Sequence, residues 1–216
     1  QMCIRDRCSR NPVHQGISLI AILDYGSGNL HSAQRAFAQT GHEVILTSDP
    51  AVCASADGLV LPGVGAFGSC MTQLKTANGD EIVQRALEAQ QPLFGICVGE
   101  QILFSQGNEK GSTQGIGFFE GSVDQLRAPI LPHMGWNLVN PGQESRLFAG
   151  VESERFYFVH SYAAKETTSD AVVSTAVHGE EFIAAIEKEN VVATQFHPEK
   201  SGEAGLKLIK NWADSL

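Results

Sequence analysis

The chain has 216 residues, of which 43% are hydrophobic and 18% charged, and its formal net charge is −9. This composition is typical of a globular protein with a substantial core, and the negative charge argues against nucleic acid or an anionic membrane surface as the main partner. No apolar run reaches the roughly 18–20 residues of a membrane helix, and the N-terminus lacks an apolar signal region, so we expect a cytoplasmic protein. Five cysteines without zinc-type pairing predict a reducing compartment.

The N-terminal stretch differs from the rest of the chain. Residues 1–17 mix charges, a proline and two cysteines without helical or strand periodicity. We expect this stretch to be either a disordered leader or sequence that does not belong to the native protein. Residues 18–216 contain no internal repeat and no long linker, and they are predicted to form one domain.

Strand-like and helix-like segments alternate through the first half of this domain, which is typical of an α/β fold with a mainly parallel sheet. The apolar runs predict strands at residues 18–25, 42–48, 58–61 and 93–97. The amphipathic runs predict helices at residues 29–40, 68–75, 80–90 and 98–106.

The second half is predicted to be rich in antiparallel strands. Short apolar segments joined by turns predict strands at residues 118–124, 136–139, 156–159, 171–177, 182–187 and 191–196, and a closing helix at 203–216. We therefore predict an open, mostly parallel sheet flanked by helices, with the antiparallel-rich second half folded onto that one sheet.

One cysteine stands between two glycines where a buried strand turns into a helix, in GICVGEQ at residues 95–101. This is the pattern of a nucleophile elbow with cysteine in place of serine, and it requires strained dihedral angles at the nucleophile. The N-terminus of the following helix would favour the Cys97 thiolate and leave the Val98 N–H for an oxyanion. A buried structural cysteine beside ordinary turn glycines is the alternative.

A histidine and a carboxylate stand two positions apart in FHPE, residues 196–199. On a strand both side chains would share one face, so Glu199 could hold the Nδ1–H of His197 while Nε2 takes the cysteine proton. Pro198 biases His197 towards an extended conformation. Alone, the motif is also typical of a His-Pro turn with a surface glutamate. Beside Cys97 it predicts a Cys-His-Glu triad that attacks an amide or ester carbonyl.

A glycine-rich loop, PGVG at residues 62–65, follows another predicted strand. Glycines let a backbone approach a ligand closely, so this loop is a candidate for a second N–H group at the oxyanion. By itself the loop is equally typical of a tight turn.

GICVGEQ and FHPEKS together resemble the class I, triad-type glutamine amidotransferases, which hydrolyse glutamine and hand the ammonia to a synthase. Within that family, the chain resembles the glutaminase subunits of imidazole glycerol phosphate synthases. The segments that carry this likeness are DYGSGNL at 24–30, PGVGAF at 62–67, HMGWN at 133–137 and YFVHSY at 157–162. The resemblance implies the flavodoxin-like fold of this family, a role in histidine biosynthesis, and a reaction without metal or organic cofactor.

The resemblance also implies a role for individual residues. The triad would be Cys97 as nucleophile, His197 as acid and base, and Glu199 as the orienting carboxylate. The glutamine substrate and its oxyanion would be held by Gly63, Val64, Gly65, Val98, Gln101, Glu109, Ser161 and Tyr162. A cyclase subunit with a (β/α)₈ barrel would form a heterodimer by docking on His133, Gly135, Trp136, Asn137 and Tyr157.

Glu100 departs from the family pattern, which places an apolar or small residue after the second glycine of the elbow. We expect its side chain to point away from the thiol, because adjacent helix positions face different directions. The remaining histidines of the domain, His31, His42, His160 and His178, are predicted to be structural.

Two other functions remain open from the residues alone. A stand-alone Cys-His hydrolase of the same broad fold, such as a peptidase or deglycase relative, would need no partner. A catalytically silent subunit would keep the fold only, and alkylation of Cys97 by a glutamine analogue would separate it from an enzyme.

Overall fold

The computed structural model describes residues 16–216. Residues 1–15 of the predicted leader therefore lie outside the described residues. The strands are β1 (Leu19–Leu23), β2 (Glu43–Thr47), β3 (Gly58–Gly63), β4 (Leu93–Cys97), β5 (Phe104–Gly107), β6 (Thr113–Gln114), β7 (Phe119–Gln125), β8 (His133–Leu138), β9 (Arg155–His160), β10 (Tyr162–Ala164), β11 (Val172–His178), β12 (Glu180–Lys188) and β13 (Val191–Thr194). The helices are α1 (Leu30–Ala38), α2 (Pro50–Ser55), α3 (Phe67–Thr76), α4 (Gly79–Glu88), α5 (Val98–Gln101) and α6 (Gly202–Ala213), and Pro198–Lys200 forms a 3₁₀ turn.

A seven-stranded sheet organises residues 16–216, in the order β11-β12-β13-β4-β3-β1-β2. The strands from β13 to β2 run parallel, and β12 and β11 extend the sheet antiparallel at one edge. The central strands β3 and β4 are buried along their whole length, as expected for parallel strands covered on both faces. Their carboxyl ends meet at the edge where open α/β sheets place ligands.

Aromatic rings join the sheet to the helices on one side. Phe37 of α1, Phe94 of β4 and Trp212 of α6 contact one another edge to face, with ring centroids 5.5–5.7 Å apart. Such pairs add to the burial of apolar area. The closing helix α6 is thereby anchored to the strand that ends in Cys97.

The predicted alternation of strands and helices is confirmed in the first half, but two details were wrong. Pro62 and Gly63 do not belong to a loop, because they pair with the last residues of β4 as part of β3. The sequence prediction also missed helix α2, which begins at Pro50. The carboxylate of the preceding Asp49 caps it by accepting a hydrogen bond from the Ala51 N–H at 2.8 Å.

The predicted helix at residues 98–106 was wrong beyond its first turn. Helix α5 ends at Gln101, and Phe104–Gly107 forms strand β5 beside β7. Ile102, Leu103 and Phe104 are all fully buried. A continuous apolar run of this kind is compatible with either a buried helix or a strand, and tertiary pairing decides between them.

The prediction that the second half joins a single sheet was also wrong. Strands β10, β7, β5 and β6 form a separate four-stranded sheet, and β8 and β9 form a two-stranded antiparallel pair. In β8, exposed residues alternate with buried or half-buried ones, which is the pattern of a strand with one face towards solvent.

Candidate active site

Cys97 lies at the carboxyl end of β4 and has a positive φ of 56°. This conformation costs energy for a residue other than glycine, so the strained elbow predicted from the sequence is present. A side chain at Gly99 would collide with the Leu61 carbonyl oxygen. Gly99 is therefore required by the close approach of α5 to β3.

The helix that follows Cys97 is shorter than predicted and has only four residues. A single turn aligns few peptide dipoles. The helix dipole that was expected to favour the thiolate is therefore weaker than a longer helix would give. Side chains around Cys97 must supply more of that stabilisation.

His197 and Glu199 form a buried pair, with 2.8 Å between Nδ1 and Oε1. Glu199 reaches the ring from the 3₁₀ turn, not from the same strand, because β13 ends at Thr194. The predicted alternation on a strand was therefore wrong, although the predicted contact is present. His197 has the extended backbone expected before proline.

Hydrogen bonds to neighbouring backbone and side-chain atoms fix the position of His197. Its N–H donates to the Tyr157 carbonyl at 2.9 Å, and its carbonyl accepts from the Ser201 hydroxyl at 2.7 Å. The same hydroxyl accepts from the Tyr157 N–H at 2.9 Å. Strand β9 thus holds the histidine in place.

The charge state of His197 is set by its two neighbours. Burial opposes protonation of the ring, but the hydrogen bonds and negative charges of Cys97 and Glu199 outweigh it and raise the pKa of His197 to about 10. The imidazolium form of His197 is therefore favoured in this site. A protonated histidine beside a cysteine is an arrangement that activates the sulfur as a nucleophile.

Cys97 and His197 open into a cavity of about 340 Å³, which lies in the usual range for small-molecule sites. Its lining residues are Val64, Gly65, Cys97, Val98, Gln101, Glu109, Val159, His160, Ser161, Tyr162, His197 and Lys200. All the predicted substrate and oxyanion residues are therefore at the cavity except Gly63, which packs against the backbone of Val98 and Gly99. Glu199 stands behind His197.

Gln101 and Glu109 are already partly engaged by protein atoms. The Gln101 side-chain nitrogen donates to the Tyr162 carbonyl and to Gln195, at 2.9 and 2.8 Å. One carboxylate oxygen of Glu109 accepts from the Phe67 N–H at 3.0 Å. The Gln101 oxygen accepts no hydrogen bond from residues 16–216, so it is the atom of that side chain available to a ligand.

The Val64 peptide is held away from an oxyanion role. Its N–H donates to the Ser27 hydroxyl at 3.2 Å, and its carbonyl accepts from Ser27 and from the Cys70 thiol, each at 3.1 Å. We call Ser27 and Cys70 the Val64 clamp. While the clamp holds, the Val64 N–H is not free to bind a developing negative charge.

The residues expected to contact a partner lie on the β8–β9 pair, but not all are exposed. Trp136 is 52% exposed and packs edge to face with Tyr157, their ring centroids 6.1 Å apart. His133 is buried and bonded to His160. His133 therefore lies behind the exposed side chains of this surface, and its contact with a partner stays a prediction.

Sequence reasoning missed a glutamine at the nucleophile. The Gln195 side-chain nitrogen lies 3.8 Å from the Cys97 sulfur. Its position two residues before His197 was a usable signal, because alternate residues of an extended segment share a face. His160, predicted to be structural, also lines the cavity.

Glu100 is fully buried, so its side chain does not reach solvent. Burial and, to a lesser degree, the charge of Cys97 raise the pKa of Glu100 well above its usual range. The carboxyl group is therefore held in its neutral form near the nucleophile.

Comparisons with known proteins agree with this fold. The family model for class-I glutamine amidotransferases matches residues 21–215, and the chain belongs to that family. Two solved structures share the fold: a putative GMP synthase protein from Thermoplasma acidophilum, with TM-score 0.72 and 21% identity over 92% of this chain and 94% of that one, and PurLQS from Thermotoga maritima, with TM-score 0.71 and 20% identity over 93% and 99%.

Proteins with higher sequence identity to this chain than these two structures are named as subunits of a specific enzyme. The chain is 51% identical to imidazole glycerol phosphate synthase subunit HisH of Corynebacterium diphtheriae, over 91% of this chain and 99% of the relative. It is 50% identical to the protein of the same name from Nocardia farcinica, over 91% and 98%. These relatives are each described as one subunit of a synthase.

Between residues 16 and 216, no helix combines the length and apolar character that crossing a bilayer requires.

Proposed function

We propose that this chain is the glutaminase subunit of an imidazole glycerol phosphate synthase, with Cys97, His197 and Glu199 as its triad. The observation that carries the proposal is the buried His197–Glu199 pair beside a strained cysteine, all at one cavity. The identity of about half the residues to HisH subunits along nearly the whole chain supports the choice of glutamine as substrate.

The reaction runs in two steps through a thioester. The Cys97 thiolate attacks the side-chain carbonyl carbon of glutamine, and His197 gives its proton to the departing ammonia. His197 then takes a proton from water, which attacks the γ-glutamyl thioester and releases glutamate and the thiolate. The triad returns to its starting state, and no metal or organic cofactor takes part.

The oxyanion of each step would be held by the N–H groups of Val98 and Val64. Because the Val64 N–H is bonded to Ser27, this role requires the segment from Pro62 to Gly65 to change conformation first. Gln101, Glu109, Ser161 and Tyr162 would hold the backbone of glutamine.

The ammonia would pass to a cyclase subunit with a (β/α)₈ barrel, which forms imidazole glycerol phosphate and aminoimidazole carboxamide ribotide. The two chains would make a heterodimer through the β8–β9 surface, where Met134, Trp136 and Leu138 are at least half exposed. Exposed apolar residues in one patch are typical of a protein interface. The described cysteines Cys53, Cys70 and Cys97 are free thiols, which suits a cytoplasmic location.

Glutamate release by the complex tests the assignment. We would co-express the chain with a cyclase subunit and expect Cys97→Ala to lower the glutaminase rate by roughly 10³-fold or more. Cys53→Ala removes another buried thiol, in α2, and is the matched control. An unchanged rate in Cys97→Ala would overturn the assignment, whereas equal activity with and without the cyclase would favour a stand-alone hydrolase.

A further inference from the structure

A glutamine outside the triad touches the reacting sulfur. Gln195 is completely buried, and its side-chain nitrogen donates towards the Cys97 sulfur at 3.8 Å. Its side-chain oxygen accepts from Gln101 at 2.8 Å. Both ends of this amide are therefore engaged inside the protein, and Gln195 does not line the cavity.

A backbone carbonyl determines which end of the amide faces the sulfur. The Tyr162 carbonyl can only accept, so Gln101 must present its NH₂ group to it, at 2.9 Å. The second hydrogen of that NH₂ group is donated to Gln195, which must then turn its oxygen towards Gln101. The NH₂ group of Gln195 is left facing Cys97.

The same carbonyl orients a second series of hydrogen bonds. The Tyr162 carbonyl accepts a hydrogen bond from Nδ1 of His160 at 3.0 Å. In a neutral His160 the other nitrogen, Nε2, is then an acceptor, and Nδ1 of His133 donates to it at 3.0 Å. Nε2 of His133 then accepts from the Asn137 side-chain nitrogen at 3.3 Å. The Tyr162 carbonyl thus connects the β8 strand to the residues around the nucleophile.

We propose that Gln195 donates a hydrogen bond to the Cys97 thiolate and holds the sulfur in the attacking position, and that Gln101 and the Tyr162 carbonyl orient the Gln195 amide for this role. A hydrogen bond to a charged acceptor is stronger than one between neutral groups. Gln195 therefore stabilises the thiolate more than the thiol, which matters because α5 is only one turn long.

The proposal rests on the proposed function only in taking Cys97 as the nucleophile. It concerns the reactivity of the sulfur and is testable without glutamine. The probe is iodoacetamide, a neutral alkylating agent, and the reading is the rate at which Cys97 itself is modified, followed by peptide mass so that Cys53 and Cys70 are counted separately.

Two variants separate the donor from the bulk of the side chain. Gln195→Glu keeps an oxygen towards Gln101 and replaces the donor to the sulfur by a second oxygen. Gln195→Met keeps the length of the side chain and removes both polar groups. Gln143→Glu, at an exposed glutamine, introduces the same charge elsewhere and is the matched control.

In the complex with the cyclase, we expect both variants to slow alkylation of Cys97 about tenfold at neutral pH, the fold-change for losing one charge-assisted hydrogen bond. The pH at which alkylation reaches half its maximum should move upwards. Turnover of glutamine should lose kcat by a similar factor in both variants. In Gln195→Glu the KM should stay within about twofold, because Gln195 does not line the cavity and an oxygen still faces Gln101.

The outcomes distinguish the two proposals. Unchanged alkylation rates and pH profiles in folded Gln195→Glu and Gln195→Met would overturn the role of Gln195. If neither variant folds, the ¹⁵N-labelled native chain still decides, because the Gln195 NH₂ signal should shift between the native protein and Cys97→Ala, and its failure to shift would overturn the contact. A native Cys97 that reacts no faster than Cys53 would instead contradict the proposed function.

Discussion

Glu100 is a buried acid without a hydrogen-bonding neighbour. Both of its carboxyl oxygens lack a hydrogen-bond partner among residues 16–216. Burying a polar group without a partner costs free energy, and burying its charged form costs more, so the neutral acid is the form that folding tolerates. Glu100 therefore destabilises the fold at this buried position.

Replacing Glu100 with methionine should stabilise the protein. We expect Glu100→Met to raise the free energy of unfolding by about 1–3 kcal/mol at neutral pH, because it removes an unsatisfied buried group. Urea unfolding of the isolated chain measures this change. Glu88→Met, at an exposed glutamate of α4, is the control, and an equal gain in both variants would contradict the explanation.

The gain should depend on pH. The pKa of Glu100 is raised in the folded state, so above its ordinary value of 4.5 the unfolded chain releases the proton that the folded chain keeps. The free energy of unfolding of the native protein therefore falls as pH rises from about 4.5 towards the folded pKa. The difference between Glu100→Met and the native protein should widen over the same range.

Short motifs predicted that Cys97, His197 and Glu199 would lie together, and the structure brings them to one cavity. The contact of Gln195 with Cys97 was not predicted. Gln195 stands beside one of those motifs, but its contact with Cys97 joins residues 98 positions apart. Only the parallel pairing of β13 with β4 brings the two together.

The loop after β1 forms hydrogen bonds that hold the carboxyl end of β3 and the residue after it in place. The Val64 clamp holds both the N–H and the carbonyl of Val64, and the Tyr25 hydroxyl donates to the Pro62 carbonyl at 2.6 Å. These bonds come from YGS, residues 25–27, and from α3. The segment proposed to supply an oxyanion N–H is thus held by contacts outside the cavity.

Loosening the clamp should raise the activity of the free subunit. We expect Ser27→Ala to increase the partner-free glutaminase rate about threefold to tenfold, since it removes the acceptor of the Val64 N–H, a bond worth about 1 kcal/mol. Glutamate release by the isolated chain measures this rate. Ser32→Ala, in α1, is the matched control, and an unchanged rate in Ser27→Ala would show that the clamp does not limit activity.

His133 of β8 and His160 of β9 are buried and hydrogen-bonded to each other. Burial, with the charge of His178, lowers the pKa of His133 to about 4. Burial, with the charges of neighbouring histidines, lowers the pKa of His160 to about 3, although a hydrogen bond to Tyr162 opposes this. Both rings are therefore neutral at physiological pH, as the hydrogen-bond directions require.

These two rings should make the fold sensitive to acid. Between pH 6.5 and about 3 the unfolded chain binds protons that the folded rings do not, so the free energy of unfolding falls as pH falls through this range. Urea unfolding of His160→Gln should show a flatter dependence there. His31→Gln, at an exposed histidine, should keep the native slope, and a native slope in His160→Gln would contradict the assignment.

Strand β8 has exposed apolar residues on one face, and it pairs with β9, which contributes residues to the cavity. Met134, Trp136 and Leu138 project from one face of β8, while His133 on the other face joins the hydrogen bonds that reach Tyr162. A partner bound to this face would sit one strand away from the substrate site. The proposed docking surface and the cavity thus share the β8–β9 pair.

A charge on this face should prevent docking without affecting the nucleophile. We expect Trp136→Asp to raise the Kd for the cyclase subunit at least about tenfold. Tryptophans that become buried in an interface often contribute a large part of the binding free energy. Titration calorimetry measures the Kd, and the alkylation rate of Cys97 in the free chain should stay unchanged. Ile17→Asp, at an exposed apolar residue before β1, is the control, and an equal loss there would contradict a specific surface.

The amino-acid sequence by itself determined the α/β class, the elbow at Cys97 and the pairing of His197 with Glu199, because each depends on residues close together in the chain. Tertiary structure decided where α5 ends, which face of β8 is buried and which donor faces the sulfur. Those features depend on contacts such as Gln101 with Gln195, 94 positions apart. Patterns along the chain do not reveal such pairs, because their contact exists only once the sheet has brought distant segments together.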